Sequence, residues 1–265
     1  MRRLLRGTIE WDRLEQVARE LAARYDEPTV RVEFLEADNW LSTPFVVNDE
    51  WFVKVITKQN ALVQALFTGA RNLGALSSGN PEGFFESFDG PVEMAEHELE
   101  ATERMREIGV NAPEPIEAFE IDGLGILVLE YLPTFRVLDE LPAEDVEPYA
   151  TTLFESLATI HDDGLVHGDL RQENVLIRDG KLYFIDATKV SGEGVEAARA
   201  YDLACALGVL TPIIGAAGAV QAALTVYSIE DLLEAEEFLD FVNIRPDHDF
   251  DAAAIKGEID KHATG

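Results

Sequence analysis

The sequence predicts an α+β chain in two parts, a strand-rich N-terminal part over residues 1–132 and a mainly helical part over residues 133–265. Two observations carry this expectation. From Val30 to Tyr131 short alternating apolar runs are separated by turn-forming pairs, and after Pro142 the apolar spacing becomes helical with only two short strand-like runs. No internal repeat or low-complexity tract interrupts either part.

The elements follow in order. Trp11, Leu14, Val17, Ala18 and Leu21 recur at helical spacing, and Pro28 marks the stop. Val30 to Leu35 alternates like a strand, and Asp38 to Pro44 reads as a turn. Phe45-Val-Val and Trp51 to Ile56, joined by Asn48-Asp49-Glu50, form a hairpin. Gln59 to Leu76 reads as helix, and Ser77 to Pro91 as a Gly- and Ser-rich loop holding Phe84, Phe85 and Phe88. A helix from Val92 to Ile108 ends at Gly109, and Ile116–Ile121 and Gly125–Tyr131 form a second hairpin about Asp122-Gly123. Pro133 breaks the sheet. Beyond it come a helix over Val146–His161, a loop over Gly164–Asp169, two short strands about Asp179-Gly180, and helices to the end. Leu203 to Ile229 carries no charge; Pro212, Gly215, Gly218 and the many alanines favour two buried helices broken near Pro212 over a membrane span.

The net charge is −30 with only six lysines, and the acid is spread along the chain on a normal apolar content of 47%. That pattern describes a folded core under an acidic surface, which repels itself until salt screens it. The composition resembles that of proteins from salt-accumulating halophiles. It argues against a broad nucleic-acid-binding face, since the only dense basic cluster is Arg2, Arg3 and Arg6. Cys205 is the only cysteine, so no internal disulfide forms, and no apolar stretch follows the N-terminal arginines. A reducing, cytoplasmic setting is the expectation, with no membrane partner.

The chemistry concentrates in Val166-His-Gly-Asp-Leu-Arg-Gln-Glu-Asn-Val-Leu-Ile177 and Leu182-Tyr-Phe-Ile-Asp186. A loop-borne Asp169, Asn174 five residues on, and Asp186 at a strand end supply what phosphoryl transfer needs: a carboxylate near the nucleophile and hard oxygen ligands for Mg²⁺.

On these residues the chain resembles the protein-kinase-like superfamily, whose catalytic loop reads His-x-Asp-x-x-x-x-Asn. His167, Asp169 and Asn174 fill that pattern, and the His-Gly-Asp-Leu form is nearer to the RIO kinases and to the aminoglycoside and choline phosphotransferases. Phe52-Val-Lys54-Val resembles the ATP-lysine strand, and Glu98 before Gly109-Val110-x-x-Pro113-x-Pro115 resembles the RIO helix glutamate. Leu127 to Leu132 resembles the hinge strand; Asp202 resembles the aspartate that braces the catalytic loop; and Ile160-His161 resembles the end of the preceding helix.

The resemblance implies a two-lobed protein-kinase-like fold, with a small β-rich N-lobe and a helical C-lobe. It implies ATP with Mg²⁺ (or Mn²⁺) as cofactor. Asp169 is then catalytic, Asn174 and Asp186 hold metal, and Lys54 holds phosphates and pairs with Glu98. Glu130 and Leu132 meet adenine, and Ser42 and Thr43 stand where a Gly-rich loop is missing. Only fifteen residues separate Asp186 from Asp202, so no long activation segment fits. The expected function is a RIO-like serine/threonine kinase or ATPase, with a ribosome-related partner by resemblance alone. Two alternatives stay open: a small-molecule kinase using Asp247, Asp249 and Asp251, and a non-catalytic nucleotide-binding scaffold.

Overall fold

The computed structural model describes residues 9–35, 42–60, 88, 90–187, 195–244 and 248–264. Most of the expected helix over Gln59–Leu76, of the turn at Asp38–Pro44 and of the loop at Ser77–Pro91 lies outside them. The chain divides into two compact units. The first comprises residues 1–69, 87–103 and 113–133, and the second comprises residues 70–86, 104–112 and 134–265.

The first unit is a five-stranded antiparallel sheet with helices. Helix α1 spans Trp11–Arg24; strands β1, β2 and β3 span Val32–Phe34, Thr43–Val47 and Trp51–Ile56; helix α2 spans Pro91–Glu107; β4 and β5 span Pro115–Ile121 and Leu124–Glu130. The order is β1-β2-β3-β5-β4. Both expected hairpins are present, and their turns explain why. Asn48 and Asp49 have φ of 55° and 58°, and Asp122 and Gly123 have 47° and 75°. Two consecutive left-handed residues match the strand twist, and Asn, Asp and Gly tolerate that conformation best.

The period of two along β3 then sorts its side chains. Val53 and Val55 join Phe45, Val47, Ile126 and Val128 in a core with Val17 and Leu21 of α1. Ile56, Leu127 and Leu129 pack on the other face with Ala95 of α2. Lys54 lies between Val53 and Val55, so it falls on the α2 face, opposite Leu127 in register. Trp11, at a core-like spacing, is instead 69% exposed and leans on Phe34 with ring centroids 6.2 Å apart. It is the first residue of the helix, at the edge of the packed stripe that Val17 and Leu21 continue.

The second unit holds a small sheet of β6 (Arg136–Val137), β7 (Val175–Arg178) and β8 (Lys181–Phe184), with helices α3 (Ala143–Asp162), α4 (Val195–Ala223), α5 (Ile229–Asn243) and α6 (Ala252–Thr264). β6 is too short to announce itself in the sequence; it is defined by pairing with Leu176 and Ile177. α3 starts a turn earlier than its apolar pattern suggests, because Pro142 at the N-cap precedes helix-tolerant Ala143 and Glu144.

The uncharged stretch forms most of α4. Its N-terminal half, Tyr201 to Thr211, is buried, and Tyr201 packs edge-on against Phe238 of α5. By length and composition α4 would cross a membrane, yet 61% of its most apolar window is buried within the protein, as in a core helix. Pro212 stays within the helix, and the break falls at Gly215, with φ 78° and ψ 158°. Pro212 removes one helical N–H, but the chain turns where glycine can take a positive φ without a Cβ clash. Gly208 permits a close approach of another kind: a Cβ there would lie 2.6 Å from Cε1 of Phe250.

Candidate active site

In the second unit the loop after α3 is pinned from below. Asp202 of α4 is fully buried and accepts the backbone N–H of His167 at 2.5 Å and of Gly168 at 2.8 Å. Nε2 of His161, in the last turn of α3, lies 3.3 Å from the same carboxylate. A carboxylate that receives two peptide N–H groups is charge-assisted on both bonds, which is why it holds a loop rigidly. The His167 ring is buried edge-on against Phe184, centroids 5.4 Å apart. Burial pushes its imidazole below the usual histidine range, against the opposing pull of Asp202, Asp169 and Asp186. His167 is therefore held in the loop as a neutral, buried ring.

Asp169 follows, largely buried, with its backbone carbonyl accepting Nδ2–H of Asn174 at 2.8 Å. That bond fixes the Asn174 amide so that its nitrogen is used and its oxygen is left as the acceptor. Asn174 ends the 3₁₀ turn Gln172–Asn174, and its carbonyl accepts the N–H of Ile185 at 3.1 Å. The same path is held from the other side, since the Asn111 carbonyl accepts the N–H of Phe184 and its side chain donates Nδ2–H to the carbonyl of Leu182. Asp186 is thus delivered one residue past a backbone bond to Asn174. It sits at φ 59°, a left-handed conformation that is uncommon outside glycine and recurs where function fixes the backbone. Asn174 and Asp186 are a hard-oxygen pair of the kind Mg²⁺ takes, with phosphate and water completing the shell.

The sequence reading passed over Arg171. Its Nε lies 3.2 Å from Oδ2 of Asp169, and its Nη1 donates to Glu173 at 3.4 Å. The only signal available was an arginine two residues after the expected catalytic aspartate, in a chain poor in cations.

In the first unit, Lys54 Nζ donates to both carboxylate oxygens of Glu98, at 2.7 and 2.9 Å. The side chains are 6% and 14% exposed, so the pair is desolvated and depends on this geometry. Glu98 sits on α2, on the face that the alternation along β3 assigns to Lys54. Ser42, directly before β2, is buried and its hydroxyl has no hydrogen-bond partner among the described residues; Thr43 opens β2 opposite Val55. At the end of β5 the N–H groups of Glu130 and Tyr131 are taken by the carbonyls of Glu114 and Glu50, and a side-chain oxygen of Glu130 accepts the N–H of Glu114. The N–H of Leu132, the next residue, makes no backbone bond among the described residues. A buried hydroxyl and a peptide N–H without partners among the described residues are donors of the kind a phosphate and an adenine ring take, so these residues fit ATP.

The other expected carboxylates do not gather into a site among the described residues. Asp251 accepts the N–H of Ala254 and caps α6, Asp249 is exposed, and Asp247 lies outside the described residues. Among the described residues no cluster of three or more His, Cys, Asp or Glu stands ready for a metal.

The fold and the loop together define a protein-kinase-like chain. Within that class it is similar to the RIO type: residues 91–200 match the RIO domain family, a segment that holds Glu98, the expected catalytic loop and Asp186. The KEOPS complex subunit Bud32 of Pyrococcus abyssi is 38% identical over 87 residues, covering 31% of this chain and 38% of that protein. The RIO-type serine/threonine-protein kinase Rio1 of Haloferax volcanii is 34% identical over 88 residues, covering 32% and 29%. The chain thus spans only a minority of the length of these relatives. Among solved structures, the PknI kinase domain of Mycobacterium tuberculosis is similar at 13% identity and a TM-score of 0.44, covering 88% of this chain and 95% of that one.

Proposed function

We propose that the protein is an ATP-dependent phosphotransferase of the RIO type that acts on a serine or threonine hydroxyl of a protein. The observation that carries the reading is the build of the loop. Asp169 is held between the Asp202 clamp on the two preceding amides and the Asn174 bond to its own carbonyl. Such a carboxylate, fixed before substrate arrives, positions a hydroxyl and accepts its proton.

In this reading Lys54, oriented by Glu98, meets the phosphates, with Ser42 and Thr43 donating hydroxyls beside them. Glu130 and Leu132 hold the adenine through their backbone. The oxygens of Asn174 and Asp186 hold the divalent ion. Mg-ATP supplies the phosphoryl group and the charge neutralisation its transfer requires. Arg171 places a positive charge beside the Asp169 carboxylate, 3.2 Å from Oδ2. A reducing, high-salt cytoplasm is the proposed setting, and the likeness to a KEOPS complex subunit makes a protein assembly the proposed partner.

A small-molecule acceptor is the weaker reading, because Asp251, one of the carboxylates expected to bind it, is engaged as a helix cap. A thermal-shift titration with ATP, with and without Mg²⁺, tests the proposal in molar KCl. Nucleotide at a hundred times Kd should add about 2.7 kcal/mol of stability. A metal-dependent shift together with γ-phosphate transfer to protein supports it; the absence of both overturns it.

A further inference from the structure

The loop clamp does not end at Asp202. Tyr227 lies in the turn between α4 and α5, and its own N–H is bonded to the carbonyl of Ala223 at 2.8 Å. Its ring packs edge-on against Phe154 of α3, with centroids 6.3 Å apart, and its hydroxyl oxygen is 2.9 Å from Nδ1 of His161. Four groups are therefore in series: the Tyr227 hydroxyl, the His161 imidazole, the Asp202 carboxylate, and the amides of His167 and Gly168 directly before Asp169.

For a neutral His161 ring, the direction of every bond in this series follows from its far end. Asp202 accepts two peptide N–H groups, so it is the acceptor throughout. The imidazole nitrogen facing it must carry a hydrogen to attract rather than repel it, which places the hydrogen on Nε2. A neutral ring with hydrogen on Nε2 has only a lone pair on Nδ1, and a hydroxyl is the group that donates to it. The Tyr227 hydroxyl keeps its proton: burial raises its pKa first, and the Asp202 charge raises it further.

We propose that Tyr227 is a positioning residue of the catalytic loop. By donating to Nδ1 of His161 it fixes the Nε2–H tautomer, and so keeps Asp202 aligned on the amides that set the place of Asp169. Without that donor the two tautomers approach each other in energy. In the Nδ1–H form a bare Nε2 lone pair faces the carboxylate, which turns away from His161 and loosens its hold on the loop. The catalytic part of this inference rests on the phosphotransferase reading; the tautomer and the clamp do not.

The test uses the full chain in molar KCl, ¹⁵N-labelled at histidine and backbone, with Tyr227→Phe as the variant. Phenylalanine keeps the contact with Phe154 and removes only the hydroxyl. The wild type should show His161 as a pure Nε2–H ring in long-range ¹H–¹⁵N spectra, its signal identified by its loss in His161→Gln. Tyr227→Phe should bring in the Nδ1–H form. The Gly168 amide should exchange about tenfold faster, and kcat should fall about tenfold with KM for ATP within about twofold, as loss of one hydrogen bond of ordinary strength predicts. His161→Gln is the second variant, since a glutamine amide donates to Asp202 and has no tautomer to fix. Adding Tyr227→Phe to it should change neither exchange nor kcat.

An unchanged tautomer and unchanged Gly168 exchange in Tyr227→Phe would overturn the proposal. So would an equal loss in the His161→Gln background. If the wild type transfers no phosphate at all, the phosphotransferase reading fails, and the tautomer and exchange measurements still decide the role of Tyr227.

Discussion

Replacing Asp202 by Asn tests the clamp by changing charge without changing size. The carboxylate accepts from His167, Gly168 and His161 with no exposure to water. A carboxamide offers one oxygen, and its NH₂ group faces donors. One peptide N–H loses its acceptor, at about 1–3 kcal/mol, and the bond that survives falls from charge-assisted to neutral, about 1 kcal/mol more. An opposing term exists, because a buried charge is itself costly. Here that cost is already offset by three donors that the protein has placed and that remain after the change, so the loss wins. The expected destabilisation is about 2–4 kcal/mol, which for a chain of this size lowers Tm by on the order of 10 °C. Calorimetry in molar KCl reads the shift, and Asp202→Ala should lose at least as much. A Tm within about 2 °C of wild type would refute the reasoning, since about 1 kcal/mol alone would move it that far.

Further outcomes follow from other parts of the structure. Asp169→Asn should leave ATP affinity nearly unchanged and lower turnover by about 10²-fold or more, a typical share for a positioned base. On the proposed function, Lys54→Ala should weaken both binding and turnover, because its charge would meet the phosphates in the ground state, and single-turnover kinetics with nucleotide titration separate the two patterns. His167 has its folded pKa depressed by burial, so its contribution is fully present above the unfolded value and is lost below it. Stability should therefore fall below about pH 6.5 by up to about 1.4 kcal/mol per pH unit from this group, and His167→Asn should show a shallower slope in pH-dependent denaturant titrations. Gly208→Ala places a Cβ 2.6 Å from Phe250 and should cost about 1–3 kcal/mol, recovered in part by Phe250→Leu; equal stability of Gly208→Ala and wild type in urea would show that the helices separate freely.

What the sequence disclosed and what it hid divide by the range of the physics involved. The hairpins were legible because Asn48-Asp49 and Asp122-Gly123 name their own turn conformation. The loop was legible because Asp169, Asn174 and Asp186 are fixed by local backbone bonds within one short segment. The Lys54–Glu98 pair was expected from the resemblance, and the structure forms it. Three features were not legible. The exact place of the break in α4, expected near Pro212, is Gly215, because proline weakens a helix over several residues and glycine decides where it turns. β6 is two residues long and exists only through its partner strand. Tyr227 meets His161 across 66 residues, and nothing near either residue marks the pairing. Asp202 was expected to brace the loop, and the structure shows the bonds through which it acts.

The charge on this chain sets the sign of a final expectation. Phosphate contacts ordinarily weaken as salt rises, because exposed cations are screened. Here the cations nearest the assigned residues are not exposed. Lys54 is 6% exposed and bound to Glu98, and the Arg171 side chain is 18% exposed beside Asp169. Screening reaches buried groups weakly, so added salt costs them little. The net charge of −30 is carried mostly on the surface, and its field repels an incoming triphosphate over distances that salt shortens from about 10 Å at 0.1 M to about 3 Å at 1 M. The repulsive term is therefore the one that salt removes. KM for Mg-ATP should fall, not rise, as KCl goes from about 0.5 M to 2 M, where the surface charge is progressively screened. Folding must be held constant, so circular dichroism at each concentration accompanies the kinetics, and only salt levels with a fully folded chain count. A KM that climbs steadily with KCl over that range would mean that screened, exposed cations hold the phosphates, and would remove Lys54 from the role assigned to it.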